Sequence, residues 1–503
     1  MEITPSFKGD YIDLLKRRYR VVSWNLGTLF MGFSLILLFP LIFLIFYPEE
    51  SSNAYYFVEA AAISFLLGYF LRSVSGLEKS EVVMIQEGAV IVLFSWIGVI
   101  ILSALPFVFA KILNFTQAVF ESTSGWTTTG LTVVDVTKIS KLFLVWRSVM
   151  QYIGGAGFAI IMVGSIIGPG GFGLYSAEGR TDNIIPNIRQ SANMIMVMYL
   201  TYAAAGTLAY ILVGMPPFDA FNHSLTALAT GGFSTRTGSI GEYNSVPIET
   251  VTIVLMFLGT TGFGIHYTLW KGNFKAFVKN GEPWLMLSTV AISTVVIAKD
   301  GIGLVFKDGA QAFRESIFQT VSALTGTGFS TVDFTKGSWP IFSTGMFFLT
   351  VLMILGGMMD STSGGLKQYR LYVTLRVILD AVVKFISPRN AVRKIVVWKG
   401  DKAKVVDSET IREILLVFSL YFTTYTIGVL ILTAYGFNLQ DSMFEFASAL
   451  SGVGLSCGVT SPDLPKGVLW TLTVGMFLGR LEFLVVIYSI SKLLRDILNL
   501  SRR

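Results

Sequence analysis

Hydrophobic positions in this chain fall in long continuous runs. They show neither the alternation of a half-buried strand nor the single stripe of a soluble helix. A helix crosses a bilayer in about 20 apolar residues. Ten runs that are charge-free or nearly so read as spans: 24–47, 60–71 (extended backwards past Glu59), 88–110, 148–168, 191–215, 251–270, 284–298, 341–359, 414–435 and 468–490. The first follows Lys16, Arg17, Arg18 and Arg20 and has no small-residue cleavage site behind it, so it reads as a retained helix and not a signal peptide. Between some spans lie shorter apolar segments, 118–129, 218–230, 312–325 and 442–451, of the length of re-entrant segments.

These four short segments align without gaps on one glycine: Gly130, Gly232, Gly328 and Gly454. Taking that glycine as position 0, position −6 is Ser124, Thr226, Ser322 or Ser448, always a small hydroxyl. Position −5 is tiny (Gly125, Ala227, Ala323, Ala449) and position −4 large and apolar (Trp126, Leu228, Leu324, Leu450). Position +1 is Leu131, Phe233, Phe329 or Leu455, and position +2 is again a hydroxyl (Thr132, Ser234, Ser330, Ser456). Position −10 is Phe120, Phe318 and Phe444 in three copies, with Asn222 in the second. An isolated Gly or Ser in a membrane protein ordinarily serves close helix packing; four copies in register, each between two spans, require more than packing. The predicted unit is helix, half-helix, extended Gly/Thr strand, helix. Four units and two leading helices use every span.

Non-helical backbone at membrane depth occurs only where it lines a cavity or is buried in protein. Four such strands in one chain can surround one axis, stack their carbonyls in rings and replace the hydration shell of an alkali cation. The candidate ring formers are Thr128, Thr129 and Gly130; Thr230, Gly231 and Gly232; Gly326, Thr327 and Gly328; and Gly452, Val453 and Gly454. Hydroxyls of Thr127, Thr128, Thr129, Thr230, Thr325 and Thr327 can add oxygens or hold the strands from behind. The half-helices end at the strands, so their negative C-terminal ends favour a cation. The strands carry no acid, which fits a monovalent ion better than a divalent one.

Composition removes the soluble alternatives. Of 503 residues, 53% are hydrophobic and 14% charged, against about 25% charged in globular domains, and the mean hydropathy is +0.65. The single Cys457 excludes an internal disulfide, and His223 and His266 are too few for a histidine metal centre. No glycine-rich nucleotide motif is found. The net charge of +6 does not require nucleic acid. With the N-terminus inside and the spans alternating, the inner loops hold 27 Lys and Arg and the outer loops 10, with Arg480 inside a span. That bias puts both termini in the cytoplasm.

The copies "TTTGLT", "ATGGFST", "TGTGFST" and "SGVGLSCG" resemble the filter loops of the Trk/Ktr/HKT superfamily of potassium transporters, over essentially the whole chain. The two leading helices resemble the Trk-type pore-forming membrane subunit, which the Ktr type lacks. The resemblance implies an all-α polytopic membrane protein with a pseudo-four-fold pore. On that reading the chain divides into an N-terminal helix pair (1–80), pore repeats 1 (81–170), 2 (186–275) and 3 (280–385), a basic linker (386–408) and pore repeat 4 (409–503). It implies potassium uptake across the inner (cytoplasmic) membrane, K+ as transported ligand, no organic cofactor on this chain and no enzymatic activity. It also implies a homodimer and a cytosolic ring of nucleotide-binding, RCK-type regulatory subunits. The basic stretch 389–404 can meet anionic lipid or an acidic partner surface. The alternatives are a sodium-selective or non-selective member of the superfamily, and an ion-coupled secondary transporter or membrane enzyme. In the plant branch a serine at the first filter glycine goes with sodium; this chain has Gly130.

Two further motifs are read the same way. "GGMMDSTSGGLK" (356–367) interrupts the second helix of repeat 3 with residues that disfavour a continuous helix. In the family this stretch is an intramembrane gating loop, which makes Gly356, Gly357, Asp360, Ser361, Gly364 and Gly365 candidate gate residues. Asp360 departs from the family pattern. It reads either as a partner for Arg480 or as the cap of a half-helix beginning near Ser361. Arg480 within the last span is costly unless paired or wetted. The resemblance makes it part of the gate; the plain alternative is a tie to Glu482 or to carbonyls.

Overall fold

The computed structural model describes residues 5–77, 83–157, 188–301, 308–334, 344–388, 394–400 and 402–501. The helices α1 (Pro5–Leu37) and α2 (Ser51–Ser75) lead into four similar units. Unit 1 comprises an outer helix α3 (Ile85–Phe109), a half-length pore helix α4 (Phe115–Trp126) and an inner helix α5 (Lys141–Ala156). In unit 2 the outer helix is α6 (Ile188–Leu212), the pore helix α7 (Pro217–Leu228) and the inner helix the pair α8 (Val246–Thr260) and α9 (Phe263–Trp270). Unit 3 has α10 (Gly281–Gly301), α11 (Gly309–Thr325), α12 (Thr344–Leu355) and α13 (Gln368–Ile386). Unit 4 has α14 (Ser408–Ala434), α15 (Leu439–Ser451), α16 (Lys466–Arg480) and α17 (Leu484–Ser501). Among the described residues, six helices are long and apolar enough to cross a membrane by themselves, and two bent pairs qualify together. The expected span 148–168 is helical to Ala156, and its remainder lies outside the described residues.

The pore helices begin where their sequences supply a cap. Asn114, Asp308 and Asn438 accept from the amides of Gln117, Gln311 and Asp441, satisfying first-turn donors that a helix cannot pair internally. In the second unit Pro217 takes the first helical position, where its missing N–H is no loss. Phe120, Phe318 and Phe444 are fully buried, and the C-terminal parts of all four pore helices are enclosed by protein. Around unit 1 the leading helices close the core: Phe33 packs on Trp126 and Trp146, and Phe57 on Phe143.

The inner helices correct one expectation. Only that of unit 3 was expected to break, yet α8 and α9 meet at 103° and α16 and α17 at 100°. Ala156, Thr260, Leu355 and Arg480 each end a helix, 26 to 28 residues after the register glycine. The helix end is a four-fold feature at one register, and unit 3 differs in filling its break with twelve residues, 356–367, against two in unit 2 and three in unit 4. The basic linker adds a small element to the helical plan. Strands β1 (Val396–Lys399) and β2 (Lys402–Val405) pair antiparallel, Val397 opposite Lys404. Val397 is buried against Tyr369, Val373 and Ile414, which docks the hairpin on the side of the 356–367 loop.

Candidate functional site

Each pore helix ends in the same way. At position −2 the backbone turns left-handed, at Thr128, Thr230, Gly326 and Gly452 (φ 57°, 48°, 72° and 65°). The amide at −2 donates to the carbonyl at −5, and the amide at −1 to the carbonyl at −6, in all four copies at 2.9–3.3 Å. This double closure satisfies helix-end carbonyls. Thr128 and Thr230 hold a conformation unusual for a β-branched residue, and each hydroxyl bonds the preceding carbonyl, of Thr127 or Ala229, at 2.7 Å. Two residues on, all four register glycines are left-handed again, with φ from 73° to 97°.

The glycines define a closed ring. A Cβ built on Gly130 would overlap the carbonyl oxygen of Gly231; on Gly232, that of Thr327; on Gly328, that of Val453; and on Gly454, that of Thr129. Each register glycine therefore lies against the position −1 carbonyl of the next loop, in chain order, and the fourth glycine against that of the first loop. Only glycine combines this φ with so close an approach.

The strands are braced from behind by side chains that the alignment on small residues did not single out. Position −9, on the pore helix, reaches the position +2 hydroxyl in every unit. Glu121 accepts from Thr132 Oγ1 at 2.9 Å, and Glu445 from Ser456 Oγ at 2.8 Å. His223 Nε2 lies 2.9 Å from Ser234 Oγ, and Gln319 donates to Ser330 Oγ at 3.4 Å. The sequence signal was half visible, as the repeated +2 hydroxyl; its partner was hidden because Glu, His, Gln and Glu perform one task. Buried Arg147 adds a 2.8 Å pair to Glu121 and bonds Thr132 Oγ1 and the carbonyl of Ser234, tying strands 1 and 2. Arg147→Met is expected to destabilise the protein by about 3–5 kcal/mol, because it strands the buried Glu121 carboxylate. The double variant with Glu121→Gln should recover part of that loss in detergent melting curves. Equal melting of Arg147→Met and wild type would refute the brace.

Beneath the ring lies the 356–367 segment. Its ends meet where Gly356 and Gly365, both left-handed, pack Cα against Cα, and Leu366 N donates to Ile354 O at 2.9 Å. Gly357 N donates to Ser363 Oγ at 3.0 Å, and Ser361 Oγ to Met358 O at 2.6 Å. The loop tip touches the undersides of three strands. Thr362 Oγ1 lies 3.0 Å from Thr230 Oγ1 and donates to Gly259 O at 2.8 Å; Ser363 packs under Gly326; Gly364 lies against the carbonyl of Ser451, beside Gly452. Arg480 completes the circuit, donating to Thr362 O (2.7 Å), Gly154 O (2.5 Å) and Thr128 Oγ1 (3.3 Å). Loop and arginine together touch the foot of all four strands. On the other side a polar-rimmed funnel of about 730 Å³ reaches Gly130, Gly232, Gly328 and Gly454, whereas the cavity between loop and Arg480 measures about 60 Å³.

Asp360 differs from both expectations. Its carboxylate pairs with Lys399 of the hairpin at 3.1 Å, while Arg480 takes carbonyls and Glu482 pairs with Arg370 at 2.5 Å. Nor does it cap a helix: Asp360 is left-handed (φ 55°), and the next helix starts at Gln368. The reason is the bend after Arg480, which carries Glu482 away towards α13 and leaves the arginine facing upward. Asp360→Asn and Lys399→Gln are expected to couple by about 1 kcal/mol in a double-mutant cycle read by melting, with no coupling between Asp360→Asn and Arg480→Gln; the reverse pattern would sink this pairing. His223 and Cys457 have structural contacts, His223 with Asp219 O and Ser234, and Cys457 with Glu445.

The family model described as TrkH, cation transport protein, matches residues 56–277 and 284–498. The Trk system potassium uptake protein TrkH of Halomonas elongata is 29% identical over 484 residues, 93% of this chain and 97% of that protein. TrkG of Escherichia coli, of the same description, is 29% identical over 491 residues, 94% and 98% of the two chains. The crystal structure of the potassium transporter TrkH from Vibrio parahaemolyticus superposes with a TM-score of 0.81 at 26% identity, covering 93% of this chain and 98% of that one.

Proposed function

This chain belongs to the TrkH family of cation transport proteins, and we propose from that premise that it is the pore-forming subunit of a potassium uptake system. The observation that carries the reading is the closed ring in which each register glycine lies on the next loop's carbonyl. Four loops joined in this way present the oxygens of Thr128, Thr129, Gly130, Thr230, Gly231, Gly232, Gly326, Thr327, Gly328, Gly452, Val453 and Gly454 around one axis, as neutral dipoles suited to a monovalent cation. Hydrated K+ enters the 730 Å³ funnel, exchanges water for strand oxygens and meets the loop and Arg480 below. The ion in transit is opposed there by a fixed positive charge and by the loop packed against the feet of the strands. The structure thus fits a non-conducting state, and flux requires the 356–367 loop to leave the strands.

The Lys and Arg bias supports a cytoplasmic side for the loop, the hairpin and both termini. The proposed partners are a second copy of this chain and a cytosolic ring of nucleotide-binding subunits. The relatives' designation as Trk system proteins supports an assembly of several subunits, and the basic hairpin, tied to the loop through Lys399 and Asp360, offers such subunits a contact. The test is flux through purified protein in liposomes with K+, Rb+, Na+ and Li+ at equal gradients. K+ and Rb+ are expected to pass in preference to Na+ and Li+. Equal passage of all four, or Na+ ahead of K+, would overturn the potassium reading.

A further inference from the structure

One side chain breaks the four-fold symmetry of the ring. Gln151, on the inner helix of unit 1 and fully buried, donates from Nε2 to the carbonyl of Gly231 at 2.6 Å and accepts from Phe233 N at 3.0 Å. The amide's orientation follows from the chain: the Phe233 N–H is an obligatory donor, so Oε1 must face it and Nε2 must face Gly231 O. The side chain lies flat on the second strand, and a Cβ on Gly231 would overlap its amide carbon. Among the described residues the other units have nothing equivalent. Five residues before the end of their inner helices stand Leu255, Thr350 and Gly475, and Thr350 spends its hydroxyl on Met346 O. Of the four position −1 carbonyls, only Gly231 O accepts a side-chain hydrogen bond among the described residues.

We infer that Gln151 is a specificity-determining residue, which sets the preference between K+ and smaller alkali cations by holding the carbonyl of Gly231. The inference rests on the filter reading given above. A carbonyl has two acceptor sites, so Gly231 O can face an ion while bonded to Gln151. With one site occupied it offers the ion a weaker field, and with the strand clamped at Phe233 it cannot close on a smaller ion. Field strength and ring size both govern the choice between K+ and Na+, and both effects act here in favour of K+.

The test is K+, Rb+ and Na+ flux in proteoliposomes for wild type, Gln151→Met and Gln151→Glu. Methionine fills the space and bonds neither group; glutamate, assayed at a pH high enough to ionise it, still accepts from Phe233 N–H but cannot donate to Gly231 O. Both variants are expected to lower the K+ to Na+ flux ratio by about tenfold, the scale of one hydrogen bond. Stabilisation against heating by K+ relative to Na+ reads the binding preference at equilibrium for any variant too slow to assay, and it should fall in the same direction. A wild-type ratio in either variant, or K+ and Na+ fluxes reduced in equal proportion, would overturn the inference and leave Gln151 a packing residue. A wild-type protein that does not prefer K+ would refute the filter reading itself, a separate outcome read in the same experiment.

Discussion

Gly328→Ala and Gly130→Ser are expected to lower the K+ to Na+ flux ratio ten- to hundredfold in proteoliposomes. Two effects combine at each position. The left-handed φ of 80° or 93° costs an L-residue about 1–2 kcal/mol. The new Cβ also falls on the carbonyl oxygen of Val453 or Gly231, and backbone cannot yield as a flexible side chain does. The strand or the neighbouring carbonyl must move, and each tenfold of discrimination is only about 1.4 kcal/mol. Gly436→Ala separates the two effects. That glycine is equally left-handed (φ 97°) but a Cβ there meets open space, so the variant should lose some stability and keep its ion preference. Folded Gly328→Ala protein with wild-type flux and ratio would remove the glycine ring from the mechanism.

Arg480→Ala is expected to raise basal K+ flux about tenfold without changing the order of ion preference. The guanidinium bonds Thr362 O of the loop and Gly154 O at the end of the first inner helix. Each charge-assisted bond contributes roughly 1.5–3 kcal/mol, so losing both releases the loop tip from unit 1 and also removes a positive charge from beneath the strands. Thr362→Val should act in the same direction and less strongly, since it removes the hydroxyl bonds to Thr230 and Gly259 and keeps Arg480. The measurement is unidirectional Rb+ uptake into K+-loaded liposomes, with Na+ and Li+ competition to read preference. Unchanged or diminished uptake by well-folded Arg480→Ala protein would argue that the arginine only ties helices together.

The amino-acid sequence by itself determined most of the apolar helices, the four registered loops and the interruption in unit 3. Each rests on constraints that act within a short stretch. A span needs about 20 apolar residues, a left-handed position lying under a neighbouring carbonyl needs glycine, and a run such as 356–367 disfavours helix whatever surrounds it. The bends after Thr260 and Arg480 were less legible. The first has Gly262 nearby as a cue, whereas the second turns through Glu482 and Phe483, both left-handed without being glycine, and nothing local announces it. What only the tertiary structure decided is which distant group answers which. Glu121, His223, Gln319 and Glu445 share one task with different chemistry, Lys399 rather than Arg480 meets Asp360, and Gln151 clasps the strand of another unit. A buried polar group must find a partner, but several residue types can supply the same bond, and the supplier is chosen by how helices far apart in the chain come to lie side by side.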